Sequence, residues 1–301
     1  MIKRFLNYVE ITTKITSTFA FLYTLALLFF MGQSIDIKLT LIFFGAMFIF
    51  DLTTTAINNY IDTKTNTQTL QFRRRNALAI IVVLFAISAG LGLYLAILTD
   101  VVVLLVGGLC FLCGVFYTFG PVPISRQPLG EALSGLFYGF LIPFLILYIN
   151  MPKGTFFTFE LTAETISLDL QFIPLIKLII FAAIPFCTTA NIMLANNICD
   201  VERDVLVKRF TLPYYLGTKT SVNLYAGLYY LTYAAIVVMV AIGMLSPICL
   251  LSLLTIVVVQ KNINTFRKRQ DKAVTFVTAI KNYVIIMASN TIVIFASGLL
   301  V

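Results

Sequence analysis

The chain has 301 residues, 60% of them hydrophobic and 11% charged, with neither His nor Trp and a formal net charge of +8. A water-soluble domain of this size carries about a quarter charged residues and interleaves polar with apolar positions, so the composition excludes one and implies a polytopic membrane protein, its roughly 180 apolar residues filling about nine spans of ~20. The lack of His also excludes a Ser-His-Asp hydrolase, His-ligated zinc or haem and an imidazole relay, which leaves acid–base and metal chemistry to carboxylates.

Apolar runs predict membrane-spanning helices at 12–33, 39–60, 77–98, 101–119, 131–150, 172–195, 222–243, 246–261 and 276–300. The expected architecture is all-α: nine transmembrane helices bundled around a central cavity, in a single domain over 1–301. The first span is too long for a cleavable signal and lacks a small-residue cleavage site. The seventh and eighth are divided only by Gly243 to Pro247, a tight turn between antiparallel neighbours. Between the fifth and sixth, residues 151–171 contain Glu160, Glu164 and Asp169 and are expected to form an external amphipathic hairpin or surface helix. Cys110, Cys113, Cys187, Cys199 and Cys249 lie within apolar runs and read as small buried hydrophobes.

Of the 21 Lys and Arg, all but Lys38, Lys153 and Lys177 fall at the amino terminus or in even-numbered loops. The positive-inside rule then places the amino terminus and even loops in the cytoplasm and the carboxyl terminus outside. This distribution accounts for the basic balance without nucleic acid.

Two segments break the apolar pattern in the same way. The second span runs out into AINNYIDTKTN (Ala56 to Asn66) and the sixth into ANNICDVERD (Ala195 to Asp204). Aligned, both read N-N-x-x-D-x-x-x-[N/D]. The spacing puts Asn58, Asp62 and Asn66 on one helical face, and Asn196, Asp200 and Asp204 on another. Under the predicted topology both polar ends emerge at the cytoplasmic side, so the two clusters are expected to confront one another across a cavity mouth. Oxygen ligands without His suit Mg2+, which is held by one or two carboxylates together with substrate phosphate oxygens. Asp62, Asn66, Asp200 and Asp204 are the expected metal ligands. Asn58, Asn196, Arg73, Arg75, Lys208 and Arg209 are the expected diphosphate contacts. A single cluster of this kind would read equally well as interfacial solvation; a matched pair on one side favours a site. A cation-coupled secondary transporter is the rival, but transporters place ionisable groups near the midplane of inverted repeats. Here the motifs are parallel and lie at helix ends.

The two motifs resemble the aspartate-rich pair of the UbiA-type intramembrane prenyltransferases. VEITTKITS (Val9 to Ser17), YTFGPVPISRQPLGE (Tyr117 to Glu131) and NNICDVERDVLVKRFTLPYYLG (Asn196 to Gly217) are similar to the branch that prenylates 1,4-dihydroxy-2-naphthoate in menaquinone synthesis. The family's first motif usually reads N-D-x-x-D-x-x-x-D; here Asn59 and Asn66 replace two acids. The hydroxybenzoate branch often has Lys four positions after a Tyr, where Tyr117 is followed by Pro121. The resemblance implies a Mg2+-dependent enzyme of the plasma membrane, opening to the cytoplasm, that moves a polyprenyl group from its diphosphate to an aromatic acceptor. For the naphthoate branch it implies replacement of the ring carboxyl and release of carbon dioxide. Another acceptor prenylated by the same mechanism is the alternative.

Such chemistry ionises an allylic C–O bond and must keep water from the resulting carbocation, which aromatic faces stabilise. Tyr117 is the leading aromatic candidate. Asp51 lies in the second span, seven residues before Asn58 and on its face, where an acid either holds or deprotonates the acceptor hydroxyl or is satisfied by a neighbouring Thr or Asn. Lys14 either pairs with Glu10 at i, i+4 or binds the acceptor carboxylate.

Overall fold

A computed structural model describes residues 1–63, 69–119, 123–162 and 164–300. In a bilayer each backbone N–H and C=O must be satisfied within the segment, so long apolar stretches become helices. The elements are α1 (Ile2–Tyr8), α2 (Ile15–Phe30), α3 (Ile37–Asp62), α4 (Arg74–Leu98), α5 (Val101–Phe116), α6 (Gly130–Ser134), α7 (Ile142–Asn150), β1 (Phe157–Leu161), β2 (Ile166–Leu170), α8 (Phe172–Leu206), α9 (Leu212–Leu216), α10 (Thr218–Ala241), α11 (Ile256–Lys268) and α12 (Val277–Gly298). A π-helical stretch, Gly135–Leu141, joins α6 to α7, and a 3-10 stretch, Pro247–Thr255, leads into α11. Among the described residues eight helices, counting these joined pieces as one each, are long and apolar enough to cross a membrane. The ninth apolar helix, α5, has 16 residues. The protein is a multi-pass membrane protein.

The chain divides into two compact units, Met1–Thr18 with Asp36–Ile124 and Phe19–Ile35 with Ser125–Val301. In the first, Asp36 caps α3 by accepting from Leu39 N at 2.9 Å, and Asp100 caps α5 by accepting from Val102 N at 3.0 Å. Such caps satisfy donors that a helix start leaves open and place negative charge at the positive end of its dipole. Tyr8, Val9, Leu52, Ala56, Ala77 and Ile81 form a buried cluster joining α1, α3 and α4. The Tyr8 hydroxyl donates to Ala56 O at 3.0 Å. Gly114 lets α5 pack closely on α3: a Cβ there would lie 2.7 Å from the Phe50 ring.

In the second unit α8, with 35 residues, is the longest helix. At 1.5 Å per residue it is about 52 Å long, well beyond the ~30 Å hydrocarbon core, so one end stands clear of the apolar layer. The π-helical stretch packs backbone to backbone on α8, since a Cβ on Gly139 would lie 2.2 Å from Phe186 N and Cα. Asn191 fastens α8 to α10 by donating to Tyr225 O at 3.0 Å. Tyr23 of α2 stacks on Phe181 at 4.2 Å between ring centroids.

Of the two forms expected between the fifth and sixth spans the structure has the hairpin, Phe157–Leu161 pairing antiparallel with Ile166–Leu170, Phe157 opposite Leu170 and Leu161 opposite Ile166. It differs from the sequence expectation elsewhere. The run 246–261 begins as a 3-10 helix, where Ser252 and Thr255 donate to carbonyls three residues back, Cys249 O at 2.7 Å and Ser252 O at 2.6 Å. The predicted span 12–33 is preceded by the separate α1, and Glu10 breaks the chain direction with φ 47°. All five cysteines are unpaired and at least partly buried, as expected of small apolar residues.

Candidate active site

The second motif occupies the last turns of α8. The helix carries Asn196, Asp200 and Asp204 one above the other, and the chain then reverses. Lys208 makes the reversal with φ 56°, a left-handed conformation that a side chain adopts at a cost of about 1 kcal/mol. Arg209 N closes it on Asp204 O at 2.8 Å. The same turn brings the Arg209 guanidinium back over the helix end. Its Nε donates to Ser125 O at 2.9 Å and lies 3.8 Å from Asp204 Oδ2. Asp204 is buried, and Asp200 is largely so.

Two oxygens of this motif are conspicuous. Asp200 Oδ1 and Asp204 Oδ2 are shielded from solvent and accept no hydrogen bond, each having only an arginine at ion-pair distance, Arg203 Nη1 at 3.9 Å and Arg209 Nε at 3.8 Å. An ionised carboxylate oxygen removed from water without a donor is costly, and a hard cation removes that cost. Among the described residues no three His, Cys, Asp or Glu side chains gather into a metal site. Two carboxylates are what Mg2+ needs when phosphate oxygens and water supply the remaining positions, so the donor set fits that ion. Beside the motif, Asn197 Nδ2 donates to Glu131 Oε1 at 2.8 Å, which anchors the start of α6 to α8.

The first motif closes α3. Asn58 Oδ1 accepts from Thr118 Oγ1, which ties the residue after Tyr117 to the motif. Asn59 Nδ2 donates to Tyr8 O at 2.9 Å and to Glu10 Oε1 at 3.1 Å. Asp62 is the last helical residue and is exposed. Asn66 lies outside the described residues. Arg74 donates to Tyr60 O and Thr63 O, each at 3.1 Å, and so caps α3, while Arg73 and Arg75 flank it with exposed side chains.

Deeper in the same unit, Lys14 and Asp51 form a buried ion pair of 2.7 Å, with side chains 3% and 5% exposed. Lys14 Nζ also donates to Asp51 O at 3.0 Å and to Thr55 Oγ1 at 2.6 Å, while Ser17 Oγ donates to Asp51 Oδ2 at 2.7 Å. The expected pairing of Glu10 with Lys14 is replaced by this network. Glu10 stands in the left-handed region between two helices, so no continuous turn aligns the two side chains. Asp51 Oδ1, Asp51 O and Thr55 Oγ1 match the three N–H bonds of an ammonium, so binding an acceptor carboxylate would require Lys14 to leave one of them.

The structure therefore gathers Asn196, Asp200, Asp204 and Arg209 in one unit, and Asp51, Lys14, Asn58 and Tyr117 along α3 and its partners in the other. Sequence reasoning missed Lys272. Its Nζ donates to Asp200 Oδ2 at 2.7 Å and to Asn196 Oδ1. Its signal was one basic residue among several in the eighth loop, 72 positions from Asp200.

The UbiA prenyltransferase family model matches residues 19–283. The chain is 26% identical to 1,4-dihydroxy-2-naphthoate octaprenyltransferase of Bacillus subtilis strain 168 over 227 residues, 70% of this chain and 67% of that one. A digeranylgeranylglyceryl phosphate synthase structure matches with a TM-score of 0.64 at 14% identity, covering 100% of this chain and 99% of that one. A UbiA homologue from Aeropyrum pernix K1 matches at 0.63 with 16% identity, over 95% and 98%. One from Archaeoglobus fulgidus bound to DMAPP and Mg2+ matches at 0.61 with 13% identity, over 97% and 99%. These structural matches establish a common fold.

Proposed function

Because the chain belongs to the UbiA prenyltransferase family, we propose that it transfers a polyprenyl group from its diphosphate to 1,4-dihydroxy-2-naphthoate, displacing the ring carboxyl as carbon dioxide. The family places it among prenyltransferases rather than secondary transporters. The observation that carries the reading is the pair of shielded, donor-free oxygens on Asp200 and Asp204, beside Arg209 and Lys272. The naphthoate relative and the Mg2+ and DMAPP held by the Archaeoglobus homologue support it. The whole chain, 1–301, is taken as one prenyltransferase domain of the plasma membrane, its site open to the cytoplasm.

Asp200 and Asp204, with Asp62 and Asn66 of the first motif, would hold Mg2+, and the ion would supply charge neutralisation as the diphosphate departs. Asn58, Asn196, Arg73, Arg75, Lys208 and Arg209 orient the diphosphate, the guanidinium groups by paired N–H donation. The allylic C–O electrons leave with the diphosphate. The naphthalene ring, made electron-rich by its two hydroxyls, then attacks through the carbon bearing the carboxyl. Loss of carbon dioxide returns the C–C electron pair to the ring and restores aromaticity, so no His base is needed. Tyr117 offers a π face to the cation. Asp51 and Lys14 act one layer deeper as a positioning pair that holds the start of α2 against α3.

The test is incubation of purified protein with Mg2+, a long polyprenyl diphosphate and 1,4-dihydroxy-2-naphthoate. The reduced, quinol form of a demethylmenaquinone-type product, which air oxidises to the quinone on work-up, is expected with one carbon dioxide per turnover, and little from hydroxybenzoate. Prenylation of hydroxybenzoate with its carboxyl retained, and none of the naphthoate, would reassign the acceptor. Failure to transfer to any aromatic acceptor would overturn the proposal.

A further inference from the structure

Between α11 and α12 the chain is tied into a small fixed knot. Asp271 Oδ1 accepts from Ala273 N at 2.9 Å and Val274 N at 3.0 Å, and its Oδ2 accepts from Arg269 at 2.5 Å. Thr275 Oγ1 donates to Arg269 O and accepts from Asp271 N, both at 2.9 Å. Lys272 projects from this knot. Its ammonium lies 4.8 Å from the Phe276 ring centroid and is directed to Asn196 Oδ1 and Asp200 Oδ2. These two oxygens lie one helical turn apart and belong to residues assigned above to diphosphate and metal binding. The ammonium therefore holds oxygens that a metal diphosphate would require. A divalent ion and an ammonium cannot share one carboxylate oxygen without strong repulsion, whereas a diphosphate placed beside both attracts both.

We propose that Lys272 is a tethered cation that occupies the second motif when no substrate is bound, yields Asp200 to the metal as the metal diphosphate arrives, and then contacts the diphosphate. The flexible four-carbon stem of Lys permits that transfer of contacts from a fixed loop. Free metal is thereby kept out of the site until diphosphate accompanies it. The inference rests on the metal-diphosphate reading of the motif and adds an order of binding to it.

The experiment is Mn2+ titration of protein in lipid nanodiscs, read by the electron paramagnetic resonance of free Mn2+, with and without a prenyl diphosphate. Without diphosphate, Lys272→Met should bind Mn2+ about tenfold more tightly than the parent chain, and its affinity for the prenyl diphosphate in the presence of metal should fall by about tenfold. Lys272→Arg, which keeps the charge, should follow the parent chain. Lys268→Met, an equal charge change at an exposed position on α11, should leave Mn2+ binding unaltered. Equal Mn2+ affinity for Lys272→Met and Lys268→Met would overturn the inference. The underlying reading has its own control: if diphosphate-dependent Mn2+ binding is absent in the parent chain, or survives Asp200→Asn, the metal site itself is wrong.

The β1–β2 hairpin is amphipathic. Its register puts Phe157, Phe159, Ile166, Leu168 and Leu170 on one face, and Thr158, Glu160, Ser167 and Asp169 on the other. Ile166 and Leu168 are 72% and 55% exposed, and the exposed apolar surface continues into Phe172 and Ile173 at the start of α8. Phe157 stacks on Tyr148 of α7 at 5.7 Å, so the hairpin lies against the end of one membrane-crossing segment and runs straight into another. We infer that this face is immersed in the lipid interface. Because the chain has no Trp, one introduced Trp reports its own surroundings. In nanodiscs of brominated phosphatidylcholine, Leu168→Trp should be blue-shifted and quenched, and Ser167→Trp red-shifted and unquenched. Equal quenching of the two, or a blue-shifted Leu168→Trp that brominated lipid does not quench, would overturn the inference, the latter by showing that protein covers the face.

Discussion

Asp200 and Asp204 sit one turn apart but face different cations, Lys272 and Arg209. Replacing either by Asn keeps its shape and removes its charge, so Asp200→Asn and Asp204→Asn, and Asp62→Asn in the first motif, should each lower turnover by at least about a hundredfold with insertion unchanged. Retention of near-full turnover by Asp62→Asn would remove the first motif from the metal site. The Lys14–Asp51 pair makes the opposite prediction, loss of stability before loss of chemistry. Asp51→Asn leaves an ammonium buried without its counter-charge and should destabilise the protein by about 3–5 kcal/mol in thermal unfolding, while Lys14→Met with Asp51→Leu should recover most of that. A stable but inactive Asp51→Asn would instead place Asp51 on the acceptor. At this scale the sequence displayed the acids well, because a carboxylate in an apolar run is conspicuous. It hid their partners. Lys14 pairs with Glu10 only on one continuous helix, which the left-handed Glu10 interrupts, and Lys272 reaches Asp200 through tertiary folding that no local spacing encodes.

Helices were legible as apolar runs, but their ends were not, because hydropathy marks where the membrane stops rather than where the helix does. The run 172–195 ends at the first polar residues; the i, i+4, i+8 spacing of Asn196, Asp200 and Asp204 rather than hydropathy carried the helix past it, and α8 does continue through the second motif, to Leu206. For the same reason the 3-10 stretch 247–255 passed as ordinary helix, since both conformations bury an apolar run equally well. The π-helical stretch 135–141 left one readable trace, Gly135 and Gly139 one turn apart, a small-residue pattern that lets helices approach closely. Gly139→Ala would set a methyl 2.2 Å from Phe186 backbone atoms. Backbone cannot move aside as a side-chain tip does, so unfolding stability should drop by about 3 kcal/mol or more. Turnover should fall with it, since α8 carries Asp200 and Asp204. Gly90→Ala, with nothing within 4 Å of the added methyl, should be tolerated. Equal stability of the two variants would mean that the close approach of Gly139 to α8 is not formed.

At the scale of the whole molecule the proposal depends on both acidic motifs reaching one diphosphate, and the motifs lie in different units of the chain. Their matched sequences and the distribution of basic residues support a common side. With all but three of the 21 Lys and Arg assigned to one set of loops, the residues flanking both motifs should be cytoplasmic. The prediction is checked in a chain whose five unpaired cysteines have been replaced, by introducing single cysteines and labelling with a membrane-impermeant maleimide. Cysteines at Arg75, Arg203 and Lys268 should react only from the cytoplasmic side, and one at Glu164 only from outside. All four positions are exposed, so failure to react from one side reports the bilayer rather than burial. Labelling of Arg75 and Arg203 from opposite faces would separate the motifs by the thickness of the membrane. Neither could then serve the diphosphate held by the other, and Asp200 and Asp204 alone would have to bind the metal.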